Sequence, residues 1–577
     1  MNILIIGGGI SGISAAKVLL KANHKVTIVE KSEEPGGLME KIANCRIGFK
    51  TFFDEIRHIP NLTVIKGTRV TGAERINGSF IVHLEGHGPV PADRIIISTG
   101  LVPYDPKHLK GKKRILTSLE YDAMIDQRNA ELPDIKKIAF VLCVGSRGSE
   151  YPLCSSVCCS YTLREIKWTL QRIKPEITVF YNDLRFFGQE FYMEKFYRDA
   201  GVNFVRSNSR YFEEDDDGVT MRYYYDNHII ENRYDYVVLA IGLHPNPELK
   251  LLSEIFGFAL NEYGFVKEIE SFKTDIGGVY VSGGALEPMN IKDAILTGFG
   301  ASARCLFDIN GGFGDKVDNK ISSEDTPEID SIPFDSSSYL FYLGIDDPSL
   351  KVFYEFISEK FINVALKLRE LGKRIYIVTK NLVMPSYGEL LYENARRQGV
   401  IFIHLEENQS LKIEDNTAYI YGKKDVFSFS FDKIVTFNDY IELFKNKEFL
   451  FQYRTEPQLR WNPTKWDRKH FVYGFGRYPR GERWKGREYF GAIGEVILDM
   501  EEERIYPTLS EERCSGCGSC KDACPQSAIE IIIQKKPISV FGPNFDSNIP
   551  IAHIKEDTCV GCGLCASVCP SDVISYG

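Results

Sequence analysis

Apolar residues along this chain come in short continuous runs, several of them closed by glycine. Ile3-Leu-Ile-Ile6 leads into Gly7-Gly-Gly9, and the small-residue stretch Ile10-Ser-Gly-Ile-Ser-Ala-Ala16 follows. That order of patterns predicts a strand, a tight turn and a helix. Further runs read as strands: Lys25-Val-Thr-Ile-Val-Glu30, Ile95-Ile-Ile-Ser-Thr-Gly100, Lys137-Ile-Ala-Phe-Val-Leu142 and Tyr236-Val-Val-Leu-Ala-Ile-Gly242. Strands of this kind alternating with helices predict an α/β fold. Residues 311–338 are polar and acidic with Gly, Ser and Pro, and read as a linker. Beyond them the pattern repeats. The strand–turn–helix–strand stretch Val179 to Val205 resembles Ile377 to Ile403, and Phe471-Val-Tyr-Gly-Phe-Gly476 echoes Val279-Tyr-Val-Ser-Gly-Gly284. Either residues 339–505 are a degenerate second copy of the preceding unit, or two ordinary α/β stretches agree by chance.

Bulk properties narrow the class. A chain of 577 residues exceeds one core and divides into three or four domains at roughly 100–200 residues each. A hydrophobic share of 44% with 26% charged residues is that of a globular protein, and the net charge of −9 argues against nucleic acid. No apolar run is long enough to predict a membrane span. The first strand begins at Asn2 with no secretory pattern before it, so the expected location is cytoplasmic. In that compartment the fourteen cysteines read as metal ligands or reactive thiols rather than disulfides. Four fall at 143–159 and eight at 514–569, leaving Cys45 and Cys305.

The eight form two C-x2-C-x2-C-x3-C-P runs, Cys514, Cys517, Cys520, Cys524 and Cys559, Cys562, Cys565, Cys569. This is the pattern of bacterial two-cluster ferredoxins, in which the fourth cysteine of each run ligates the other cluster. One [4Fe–4S] cluster is then expected on Cys514, Cys517, Cys520 and Cys569, the other on Cys559, Cys562, Cys565 and Cys524. Structural zinc is the competing reading; the doubled four-cysteine run with its prolines argues against it.

At the other end, Gly7, Gly9 and Gly12 stand between strand and helix, and Glu30 closes the next strand. This is a dinucleotide fingerprint: a tight turn, a close pyrophosphate approach, helix–strand packing and an acid for ribose hydroxyls. The Gly36-Gly37 pair after Glu30, and the strand end at Thr99-Gly100, resemble two-dinucleotide-binding flavoproteins of the thioredoxin-reductase and glutamate-synthase type. That resemblance implies FAD rather than NAD at this site. It also implies cofactor contacts from Ile10, Ser11, Lys31, Leu38, Gly283, Gly284 and Ile291.

Such a flavoprotein carries a second glycine loop for NAD(P)H after the Lys137–Leu142 strand. Here that loop reads Cys143-Val-Gly-Ser-Arg147, then Cys154-Ser-Ser-Val-Cys158-Cys159. Four thiolates at a helix N-terminus are tolerable when a metal cluster neutralises most of their charge, which predicts a third [4Fe–4S] cluster. Buried structural cysteines, a single redox thiol or a labile Cys158–Cys159 disulfide are the alternatives. The CVGSR and CSxxCC elements resemble the HdrA protein of heterodisulfide reductase and its relatives over residues 1–305 and the ferredoxin tail. The resemblance implies an oxidoreductase component in which FAD and clusters relay electrons to partner subunits of a hetero-oligomer. Those partners are HdrB- and HdrC-like iron–sulfur proteins, with a hydrogenase, formate dehydrogenase, ferredoxin or quinone-linked protein as further candidates. Met289 stands where the family carries a lysine near the flavin, which argues against electron bifurcation at this site.

The division that follows is an FAD domain at 1–133 and 244–310, and an NAD(P)H-domain-like insert with the four-cysteine loop at 134–243. The linker and a degenerate docking domain at 339–505 come next, then a ferredoxin domain at 506–577. The cations and aromatics between Arg454 and Arg487 read as an interface or as a solvated face. No general acid or base is expected, since flavin and clusters carry the chemistry. Two other functions compete: a self-sufficient NAD(P)H-dependent reductase like the small component of glutamate synthase, and a non-catalytic assembly module.

Overall fold

A computed structural model describes residues 1–42, 46–109, 111–126, 132–186, 190–207, 210–225, 228–312, 321–324, 335–344, 354–406, 409–422, 426–436, 471–474, 484–499, 507–510, 514, 516, 518, 520–521, 528–537, 546–555, 565 and 573–576. Three parallel sheets form its frame. In the first, the strand order is Val279–Val281, Arg94–Ile97, Asn2–Ile6, Lys25–Val29, Leu62–Ile65, all parallel. The Asn2–Ile6 strand is central, and its Ile3 to Ile6 side chains are buried, as a run apolar on both faces requires. Helices Ile10–Lys21 and Ile291–Asn310 pack together beside this sheet.

The second sheet runs Asn203–Arg206, Glu176–Tyr181, Lys137–Val144, Tyr236–Ile241, Ile115–Thr117, again all parallel. The third runs Ile401–His404, Arg374–Thr379, Ser338–Leu343, Lys433–Thr436 and has the same strand order as the first four strands of the second. Each carries a three-stranded antiparallel meander before its returning strand, at 210–234 and 410–430. The third unit is thus topologically a copy of the second, as the sequence echo suggested.

These two units share one hydrophobic core. Phe140, Leu163, Leu184 and Phe186 of the second join Phe341, Phe361, Leu382 and Met384 of the third. They meet through equivalent loops, 181–186 after one strand and 379–386 after the other; the Leu184 backbone N–H donates to Asn381 Oδ1 at 3.2 Å.

The domain division set residues 339–505 apart, and its far end requires correction. Helix Lys485–Asp499 packs on Ile291–Asn310 and on Ile10–Lys21, within the first core. The reason is close helix approach: a Cβ on Gly494 would lie 2.7 Å from the Phe299 backbone oxygen, so only glycine permits this contact. Trp484 is fully buried there. Arg487 is buried in ion pairs with Glu268 and Glu287, so these two residues are not surface interface groups. Most of the remaining 454–483 segment lies outside the described residues.

Candidate functional site

The fingerprint glycines form a turn that nothing larger could make. Gly7 has φ +111°, and a Cβ on it would stand 2.3 Å from Ser98 O. A Cβ on Gly12 would lie 2.0 Å from Gly7 O, so the helix can rest against the turn only without a side chain. Gly9 opens onto free space and bridges to Gly36, while Gly36 N donates to Gly8 O at 2.9 Å. A slot bounded by the glycine turn and the Gly36-Gly37 loop results. Ile10 and Ser11 begin the helix whose N-terminus faces this turn, where unpaired N–H groups favour a phosphate.

Glu30 follows its strand directly and is buried, accepting from Gly8 N at 2.8 Å and from Ser32 N at 2.9 Å. Leu38 opens the short helix Leu38–Lys41. Lys31 is exposed and pairs with Glu248 at 3.2 Å, an engagement its sequence position does not reveal. Thr99 and Gly100 end the Arg94–Ile97 strand, and Asn246 Nδ2 donates to Thr99 O at 2.9 Å. Gly283 and Gly284 lie beside Ser11 and Leu101, and Gly283 N donates to Thr297 Oγ1 at 3.0 Å. Ile291 begins the Ile291–Asn310 helix. The buried Thr99 hydroxyl has no protein partner, so a polar group facing the slot fits these residues. A hydroxyl chain missed by the motif reading, Ser11–Ser282–Ser98 with spacings of 2.9 and 2.7 Å, ties the helix to two strand ends. Met289 is buried with its sulfur 3.7 Å from Thr297 Oγ1, a packing contact with no charge.

The second site lies where the second sheet's nucleotide loop would be. Strand Lys137–Val144 delivers Cys143 in a left-handed conformation at φ +63°. The loop turns back through Arg147 N to Leu153 O at 3.1 Å, and helix Cys158–Arg172 starts on Cys158 and Cys159. Cys154, Cys158 and Cys159 are buried and Cys143 half-buried, none of them in a disulfide. Cys143 hydrogen-bonds Cys158; that bond and burial push its thiol well above the ordinary value, while Arg147 and Arg185 oppose the rise. These neighbouring guanidinium charges favour the thiolate that metal binding requires.

Loop composition supports a buried anionic guest. The hydroxyls of Ser146, Ser155, Ser156 and Ser386 are buried with no protein hydrogen-bond partner. Donors of this kind fit the sulfurs of a cluster. Among the described residues, no three His, Cys, Asp or Glu side chains converge closely enough for one metal ion.

Around the loop lies an ion network that no motif announced. Arg147 Nη2 meets Asp183 at 2.7 Å and Arg147 Nε meets Glu389 at 3.0 Å. Arg185 pairs with Glu389 and donates to Met384 O. Arg206 and His404 reach Asp183 at 3.2 and 3.4 Å. Burial disfavours the Asp183 carboxylate, yet Arg147, His404, Arg185 and Arg206 outweigh it and hold its pKa well below the carboxylate range. Beside the loop, His244 stacks on Tyr151 at 4.2 Å and donates from Nε2 to Gly145 O at 2.5 Å, with the Tyr104 ring 5.3 Å away.

In the tail, Cys520 and Cys565 are buried and Cys514 half-buried, together in one core with Ile529, Ala552, Val573 and Ile574. Among the described cysteines, Cys514 and Cys520 of the first run and Cys565 of the second share this core. Ala552 N donates to Cys514 Sγ at 3.4 Å. Antiparallel pairs Ile529–Pro537 with Asp546–Ile554, and Pro507–Leu509 with Ile574–Tyr576, hold this module. Cys517, Cys524, Cys559, Cys562 and Cys569 lie outside the described residues. Cys305 is separate: burial first pushes its thiol up to about 12, marking it as a packed core group.

Known proteins match both ends of the chain. Residues 513–573 match the 4Fe–4S dicluster domain, which supports iron–sulfur clusters in the tail. Among curated relatives, the A component of the H2:CoB–CoM heterodisulfide,ferredoxin reductase of Methanothermobacter marburgensis is 32% identical over 36% of this chain and 36% of the relative. The iron–sulfur A component of the CoB–CoM heterodisulfide reductase of Methanocaldococcus jannaschii is 25% identical over 52% of this chain and 63% of its own. The chain therefore spans about a third to under two thirds of the length of these relatives. A solved thioredoxin reductase of T. acidophilum is 17% identical, with TM-score 0.41 over 53% of this chain and 98% of its own. Among the described residues no helix is long and apolar enough to cross a membrane. Residues 1–298, more than half of the 577, match the pyridine nucleotide-disulphide oxidoreductase model, which supports FAD as a cofactor, and the chain belongs to that family.

Proposed function

We propose that this chain is the FAD- and iron–sulfur-containing electron-transfer component of a heterodisulfide-reductase-like complex, with one FAD and three [4Fe–4S] clusters. Gly7, Gly9, Gly12, Glu30, Gly36, Gly37 and Thr99 would hold the dinucleotide. Cys143, Cys154, Cys158 and Cys159 would hold one cluster, and the two ferredoxin runs the others. The flavin supplies a change between two-electron and one-electron transfer, and the clusters supply one-electron steps. What the chain's own residues do is bind, bury and orient these groups. Partner subunits, HdrB- and HdrC-like iron–sulfur proteins first among them, would deliver and take the electrons.

One observation carries this reading. Ligands of α/β sheets bind outside the carboxyl ends of the strands, and in the second unit residues at those ends are engaged by the third unit. Arg147, Asp183 and Arg206 follow three adjacent strands there, and all three side chains are engaged by residues 380–406 of the third unit. With the thiol loop in place of a glycine loop, the nicotinamide entry is closed, so electrons pass through protein partners. Iron and flavin analysis of the anaerobically purified protein tests this. About twelve irons and one FAD per chain are expected from three four-iron clusters. Eight irons would remove the Cys143–Cys159 cluster, and absence of flavin would leave only an assembly role.

A further inference from the structure

Glu389 lies on the cysteine-free third unit, in helix Gly388–Arg397, yet its carboxylate contacts both guanidiniums beside the cysteine loop. Arg147 belongs to that loop. Arg185 donates its backbone N–H to Cys159 Sγ at 3.5 Å. The side chains of Arg147, Arg185 and Asp183 are 6%, 2% and 5% exposed, and that of Glu389 11%. Cys154 N donates to Ser386 O at 3.4 Å, so the third unit touches the cysteine loop directly as well. Nη1 of Arg147 and Nε and Nη2 of Arg185 are buried without a hydrogen-bond partner in the protein.

Charges packed this closely and kept from water act at low effective dielectric. Arg147 and Arg185, nearest the cysteine loop, are balanced by Asp183 and Glu389, and Arg206 with Glu406 extends the network at its rim. One-electron reduction makes a cluster more negative. A neighbouring cation therefore favours the reduced state, and a neighbouring anion opposes it.

We propose that Glu389 is a positioning residue for the Cys143–Cys159 cluster, which through Arg147 and Arg185 fixes the charge beside the thiolates and so sets the cluster's reduction potential. This inference rests on the loop being a cluster site. The third unit, a copy of the second without cysteines of its own, then works as the cluster's electrostatic cap.

The test is an anaerobic redox titration of the full chain, followed by electron paramagnetic resonance. Dithionite delivers one electron to the cluster, and no bond or proton changes hands. The signal abolished by Cys158→Ser identifies the cluster concerned. Glu389→Gln removes an anion and is expected to raise its potential; Arg185→Gln removes a cation and is expected to lower it. Each shift should reach about tenfold in the reduced-to-oxidised ratio at fixed potential, which is ~59 mV for one electron. Damage that merely lets water in moves both variants the same way. Same-sign shifts, or none, with the cluster present overturn the proposal. If either variant loses iron, Arg206→Gln and Glu406→Gln at the network's rim decide instead, with the same opposed signs at smaller amplitude; same-sign or absent shifts there also overturn it. Eight irons and no such signal in the unaltered chain would refute the cluster reading itself, and this inference with it.

Discussion

Trp484→Ala measures how firmly the segment after the third unit is built into the flavin-binding fold. The indole is fully buried in the first core, which its own segment shares with Leu296 and Phe299 of the Ile291–Asn310 helix. The Arg487 guanidinium lies 5.2 Å from its ring. A buried indole removes ~150–250 Å² from water. At ~25 cal/mol per Å² that is roughly 4–6 kcal/mol before the part an alanine methyl retains. Measured large-to-small losses at aromatic core positions run about 3–5 kcal/mol. A loss of about 4 kcal/mol is a large share of the ~5–15 kcal/mol that keeps a domain folded. The assay is denaturant titration with flavin fluorescence as the signal, since release of FAD reports the first core alone. As a control, Ile533→Ala removes a side chain that is 72% exposed in the ferredoxin hairpin and should change stability by less than ~0.5 kcal/mol. Flavin retention altered by under ~1 kcal/mol in Trp484→Ala would refute the placement of this segment in the first core.

Two further outcomes follow from the geometry. Gly12→Ala forces a methyl to 2.0 Å from Gly7 O, so the turn must open; purified protein should carry a small fraction of the usual flavin, read from its absorbance, while the ferredoxin iron stays bound. Burial lowers the His404 pKa below its ordinary value of about 6.5, against the pull of Asp183. The unfolded chain therefore binds more protons there than the folded one just below pH 6.5, and stability falls as pH drops through that window, by up to ~1.4 kcal/mol per unit. Denaturant midpoints across that range should show a shallower slope in His404→Gln, and an unchanged slope would contradict the burial of this imidazole.

What could be read from the sequence was whatever local spacing encodes. The glycine turn, Glu30 after its strand, and a helix following the cysteine loop are all present, because strand, turn and helix signals are short-range. The third unit showed in the sequence only as a faint echo of the second, and its sheet has the second's strand order. The ion network was invisible: Arg185 and its acceptor Met384 are 199 residues apart, and charge pairing across that distance leaves no periodicity. Trp484 and Arg487 were misread because composition alone does not say which side of a helix meets the core. The signal that would have corrected this was Gly491-Ala-Ile-Gly494, small residues one helical turn apart, which let helix Lys485–Asp499 approach Leu296 and Phe299.

The central claim is that the second dinucleotide crevice has been given over to a cysteine loop and closed by the third unit. Mixing the anaerobic holoprotein with NADPH while following flavin absorbance tests this most directly. The flavin band should stay unchanged with NADPH and bleach with a low-potential one-electron donor such as reduced ferredoxin. Prompt bleaching by NADPH alone would contradict it.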